Sequence, residues 1–167
     1  MLVGMIRPKT ILEIGTYSGY SALCMAEGMP EDGELHTIEI NDEQEDFTRK
    51  WIEGSPLSDK ISFIIGNAIE EVPRLASEKG IIFDMAFIDG DKRTYVETYE
   101  MVLPLMSKGG WILADNTLWD GHVIDPEYAR DNQTKGIRAF NDVVANDDRV
   151  EKVMIPLRDG LTLIRKK

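Results

Sequence analysis

The sequence predicts an α/β protein: a doubly wound, mostly parallel seven-stranded sheet that finishes in an antiparallel hairpin. Three observations predict it. Short apolar runs alternate with helical stretches along the 167 residues. Two of the runs, Met85-Ala86-Phe87-Ile88 and Trp111-Ile112-Leu113-Ala114, end abruptly in carboxylates. The last two runs are separated by Arg158-Asp159-Gly160, and Asp-Gly between apolar runs is a hairpin signal. Alternating units bury both faces of a parallel sheet and leave the ligand crevice at the C-terminal ends of the strands.

The elements follow in order. Met1 to Ile6 reads as the last turns of a helix. Thr10 to Ile14 is the first strand, and Tyr20 to Gly28 a helix ended by glycine. Leu35 to Ile40 is the second strand. Asn41 or Asp42 caps a helix running to about Glu53, whose early acids Asp42, Glu43 and Glu45 suit its positive end. Ile61 to Ile65 is the third strand, and a helix from Ala68 to about Glu78 contains Pro73, which blurs its start. Asp84 to Ile88 is the fourth strand. A helix from Thr94 to about Met106 is interrupted by Pro104. Trp111 to Ala114 is the fifth strand, and Thr134 to about Ala145 the last helix. Val150 to Leu157 and Leu161 to Arg165 form the hairpin.

Composition narrows the function. A chain 43% hydrophobic and 29% charged is an ordinary globular domain, read here as one domain over residues 1–167. A formal charge of -11 argues against broad binding to nucleic acid or anionic membrane. The single cysteine, Cys24, excludes an intrachain disulfide and points to a reducing cytoplasmic setting. Its apolar helical surroundings predict a small core residue. Two histidines, His36 and His122, are too few for the usual zinc sites. No membrane-spanning run is present.

The first strand ends in EIGTYSGYS, residues 13–21. A dinucleotide fingerprint needs glycine where Tyr17 and Tyr20 stand, so a pyrophosphate fits poorly. A glycine turn at Gly15 and Gly19 better suits a nucleoside with a zwitterionic tail, whose amino end Glu13 helps arrange. Glu39 closes the second strand, where an acid accepts both ribose hydroxyls. The combination predicts S-adenosylmethionine.

Asp89, Asp115 and Asn116 are oxygen donors at the ends of two strands expected to be neighbours. Such a set suits a hard divalent cation, magnesium being the commonest. Individually these residues also make ordinary caps and turns. Lys92 lies three residues beyond Asp89. Partly desolvated beside a cation, it is the candidate general base toward a substrate hydroxyl.

These stretches resemble the cation-dependent S-adenosylmethionine O-methyltransferases, the group containing catechol and caffeoyl-coenzyme A O-methyltransferases. LEIGTYSGYSAL, HTIEIN, FIDGDKRTY, LADNTLWDG and RDGLTLIRKK carry the resemblance over nearly the whole chain. It implies the Rossmann-like class I methyltransferase sheet with a reversed last strand. It implies Asp89, Asp115 and Asn116 as metal ligands, Asp89 also bordering the cofactor, and Lys92 as the catalytic lysine. Glu39 matches the ribose acid; Glu13, Gly15, Tyr17 and Ser21 fall on the methionine-side loop, and Ala68 beside the adenine. It further implies direct methyl displacement, a homodimer, and additional helices ahead of the first strand, a region at whose end Met1 falls. Gly90 departs from the larger residue often found there.

The expected acceptor is a small hydroxylated aromatic with a vicinal diol, such as a catechol, with Trp119 and Leu118 as pocket candidates. Alternatives are a hydroxylated nucleoside in transfer RNA, an aspartyl-phosphate phosphatase built on Asp89-Gly90-Asp91, and a non-catalytic cofactor-binding remnant.

Overall fold

A computed structural model describes the backbone of residues 1–167 and every side chain except that of Lys79. Thirteen longer elements follow one another: α1 (Leu2–Ile6), β1 (Thr10–Ile14), α2 (Tyr20–Gly28), β2 (Glu34–Glu39), α3 (Glu45–Glu53), β3 (Ile61–Ile65), α4 (Ala68–Lys79), β4 (Phe83–Ile88), α5 (Tyr95–Val102), β5 (Met106–Asp115), α6 (Asn132–Ala145), β6 (Val150–Ile155) and β7 (Leu161–Lys166). The seven strands form one sheet in the order β3-β2-β1-β4-β5-β7-β6. The first five are parallel, while β7 runs antiparallel to both β5 and β6. Fold class and strand count therefore match the sequence expectation.

The order in which strands are added to the sheet reverses between the parallel neighbours β1 and β4, the switch point at which open α/β sheets leave a crevice. Register decides what lies there. Ile14 pairs with Ile38 on one side and Ile88 on the other, and Ile88 pairs with Ala114. The residues just beyond that row are Gly15, Glu39, Asp89 and Asp115. Four separated stretches thus deliver their polar ends to one edge.

The sheet carries its main core on the face covered by α4, α5 and α6. There Leu12, Ile38, Ala86, Ile112 and Ile164 meet Val72, Tyr95, Tyr99, Ile137 and Phe140, all buried. The two tyrosines stand edge-on to Phe140 at 5.3 and 5.9 Å. A smaller cluster on the other face joins Val3 of α1 and Met25 of α2 to Ile11, Leu35, Met85 and Leu113.

Several boundaries differ from the expectation. Met106 opens β5 rather than closing a helix, because Pro104 lacks an N–H and α5 tightens into a short 3-10 turn at Leu103–Leu105. Helix α4 runs through Pro73 without a break, fixed at its start by Asn67, whose side chain accepts from the Ile69 N–H at 3.0 Å. Strand β2 stops at Glu39, with Ile40 exposed beyond it, and β6 stops at Ile155. Cys24 corrects the core assignment: it is exposed. Its position in the helical repeat falls beside Met1, Leu2 and Tyr20 around a shallow apolar depression. Among the described residues no helix is long and apolar enough to cross a membrane.

Candidate active site

The sharp exit from β1 is made by Gly15, at φ 100°. A Cβ there would collide with the carbonyl of Asp89, so only glycine lets β1 and β4 end this close together. Tyr17 follows in a left-handed conformation, φ 47°, its side chain 70% exposed. Its backbone N–H donates to Glu39 Oε2 at 2.8 Å, and the Asn41 N–H donates to Glu39 Oε1 at 2.9 Å. Two amides thus hold Glu39 at the end of β2 and leave each oxygen a second lone pair. Gly15, Tyr17, Glu39, Ala68 and Asp89 line one cleft of about 460 Å³, with Gly66 and Ile69 on its far wall.

Glu13, the residue before Ile14 on β1, is fully buried. Thr37 Oγ1 donates to Glu13 Oε2 at 2.5 Å and approaches Thr16 Oγ1 at 2.5 Å, while Glu13 Oε1 has no hydrogen-bond partner. Burial pushes the Glu13 carboxyl up to about 7, the nearby hydroxyls of Ser21 and Thr37 acting the other way. Ser21 itself lines the apolar depression beside Cys24.

A second cavity of about 770 Å³ opens at the end of β5, lined by Phe87, Asp115, Asn116, Asp120, Leu157 and Asp159 among others. Asp115 is half-buried. Desolvation raises its carboxyl above the usual range; the Asn116 N–H opposes this, and the charges of Asp89 and Asp159 add to it. Asn116 has φ 59° and donates through Nδ2 to both carboxylate oxygens of Asp159, at 3.0 and 2.9 Å. Among the described residues, no three histidine, cysteine, aspartate or glutamate side chains cluster as a metal site. The predicted set is two carboxylates and an amide, a different composition.

Lys92 is only 6% exposed. Its Nζ donates to Asp89 Oδ1 at 2.7 Å and to Tyr95 Oη at 2.8 Å. Tyr95 Oη in turn lies 3.1 Å from the Ile88 carbonyl and 3.0 Å from that of Asp115, so the hydroxyl ties the ends of β4 and β5 to the lysine. Asp91 serves as the cap of this turn, accepting from the Arg93 N–H at 3.0 Å. The Trp119 ring lies 6.0 Å from Lys92 Nζ and packs against the main core. Leu118 instead abuts Gly160 and does not line the cavity.

The sequence thus located the row of polar strand ends but missed three participants. Tyr95 and Thr37 read as a helix residue and a strand residue, and nothing local marks their hydroxyls. Asp159 read only as a hairpin turn, although the antiparallel return of β7 was itself the signal that this turn reaches β5.

A parallel sheet with a glycine turn after β1, an acid after β2 and a lysine–carboxylate pair after β4 defines a nucleoside-cofactor-binding α/β protein of the methyltransferase class. The comparisons make this specific. A model of the O-methyltransferase family matches residues 1–167, and the chain belongs to that family. Caffeoyl-CoA O-methyltransferase 2 of Zea mays is 39% identical over 175 residues, covering 99% of this chain and 66% of the maize protein. The O-methyltransferase of Bacillus cereus, solved in complex with SAH, superposes with a TM-score of 0.92 at 32% identity, covering 99% of this chain and 77% of that one. TomG of Streptomyces achromogenes, involved in tomaymycin synthesis and solved in complex with SAM, gives 0.92 at 29% identity, covering 99% and 76%. The phosphatase alternative falls with this family membership.

Proposed function

We propose that the chain is a single S-adenosylmethionine-dependent O-methyltransferase domain. It uses a divalent cation, magnesium foremost, to methylate one hydroxyl of a vicinal diol on a small aromatic. The observation that carries the reading is the register row that sets Gly15, Glu39, Asp89 and Asp115 side by side. The SAM and SAH of the two solved relatives support the cofactor.

The residues fit both groups. The zwitterionic tail needs an anion near its ammonium, and Glu13, whose buried Oε1 has no hydrogen-bond partner, is the candidate. Glu39 accepts the ribose hydroxyls, while Ala68 and Ile69 flank the base. For the cation, the half-buried Asp115 is raised by burial and by neighbouring carboxylates, and positive charge offsets that cost. Asp89, Asp115 and the Asn116 amide oxygen would hold it.

When bound, S-adenosylmethionine supplies an electrophilic methyl on sulfonium. The cation supplies positive charge that makes a nearby hydroxyl more acidic. Lys92, in its neutral amine form, takes the hydroxyl proton and becomes the ammonium, held on its bearing by Asp89 and Tyr95. S-adenosylmethionine would supply the methyl to the deprotonated substrate oxygen, the carbon–sulfur bond breaking as the carbon–oxygen bond forms, with S-adenosylhomocysteine as the leaving group. Phe87, Leu157 and Leu161 give the cavity an apolar wall for the ring. Positioning and charge stabilisation account for most of the gain. A cytoplasmic homodimer completes the reading, in keeping with the family resemblance and the lone cysteine.

The test is a methyl-transfer screen of catechols and hydroxylated nucleosides, with magnesium and with chelator. Cation-dependent transfer to catechols is expected. Transfer that survives chelation removes the cation. Transfer to nucleosides alone replaces the acceptor.

A further inference from the structure

The turn between β6 and β7 is stitched into the loop that follows β5. The Leu118 N–H donates to the Asp159 carbonyl at 2.7 Å and the Thr117 N–H to the Gly160 carbonyl at 3.0 Å. Thr162 Oγ1 donates to Thr117 Oγ1 at 2.9 Å, and Asn141 Nδ2 to the Thr117 carbonyl at 2.8 Å. Gly160, at φ 91°, permits this approach, because a Cβ there would stand 2.6 Å from the Leu118 nitrogen. The backbone therefore fixes the turn without help from the Asp159 side chain. That side chain is spent otherwise, both of its oxygens accepting from Asn116 Nδ2.

We propose that Asp159 is a positioning residue that orients the Asn116 amide and so presents its oxygen to the divalent cation. The inference rests on the cation reading given above. An asparagine amide carries its donor and its acceptor on opposite sides, and a free amide turns either one inward. A carboxylate can only accept, so Asp159 draws the nitrogen toward the hairpin, and Oδ1 is left as the donor atom toward the cavity. Asn116 itself is held at φ 59° by the chain path, so side-chain rotation is the freedom that remains for Asp159 to remove. Partners of this kind commonly change cation affinity by about 10- to 100-fold.

The experiment measures manganese and magnesium binding to the full chain by calorimetry, with S-adenosylhomocysteine affinity and thermal melting alongside. Asp159→Ala should weaken the cation by about tenfold or more, with S-adenosylhomocysteine affinity unchanged within about twofold. In an Asn116→Ala background the same substitution should cost less than about threefold, because Asp159 has nothing left to orient. Full cation affinity in Asp159→Ala overturns the proposal. Equal losses in both backgrounds also overturn it, since Asp159 then acts on the cation directly. A wild-type chain that binds S-adenosylhomocysteine but no cation removes the cation reading itself, a result distinct from the other two.

Discussion

Replacing Glu13 with glutamine keeps the shape of a fully buried side chain and removes its ability to ionise. The carboxyl is pushed from 4.5 to about 7 in the folded chain, mainly by burial. The unfolded chain releases this proton near 4.5 and the folded chain near 7. Between those values the folded state binds more protons, so stability falls as pH rises through the window, and the full penalty stands above it. A shift of that size corresponds to about 3 kcal/mol. Glu13→Gln should therefore gain about 3 kcal/mol relative to wild type between pH 4.5 and pH 8, or roughly 6–12 °C in Tm for a chain of this length. Any change in the Thr37 hydrogen bond adds an offset that varies little with pH. Asp115, raised by burial as well, titrates in both proteins and cancels in the difference. Urea unfolding of both proteins at half-unit pH steps provides the measurement. A stability difference that stays flat across the window, or that moves in favour of wild type, refutes the argument that Glu13 is ionised at a cost.

Four further outcomes are expected. Lys92→Ala should keep S-adenosylhomocysteine affinity within about twofold and lose turnover; unchanged turnover removes Lys92 as base. Tyr95→Phe keeps the ring against Phe140 but leaves the Ile88 and Asp115 carbonyls without their hydroxyl. It should cost about 1–3 kcal/mol in unfolding free energy, with turnover reduced more than cofactor affinity. Glu39→Gln should weaken S-adenosylhomocysteine by roughly tenfold or more in calorimetry, because bonds to a charged acceptor are worth about 1.5–3 kcal/mol. Asp115→Ala should abolish cation stimulation in the methyl-transfer assay, and a fully active, magnesium-dependent variant removes Asp115 from the site.

Local chemistry explains how much was readable beforehand. The polar ends after Ile14, Ile38, Ile88 and Ala114 were visible because apolar runs stop there, and parallel register then aligned them. Cys24 was misplaced because its neighbours in sequence are apolar, while the face it occupies depends on what α2 packs against. The Asp159–Asn116 contact joins residues far apart in the chain and exists only because β7 enters the sheet beside β5. Tyr95 carries no local mark either, since a tyrosine on a buried helix face reads as packing until its hydroxyl is located.

The insertion of β7 between β5 and β6 has a consequence for how the molecule is made. Strand β6 is synthesised first, yet it has no strand neighbour until β7 has emerged and paired with β5. Strand β6 therefore joins the sheet only after β7 has paired with β5 and offered its free edge. The contact between Asp159 and Asn116 cannot form before that pairing brings the turn to the end of β5.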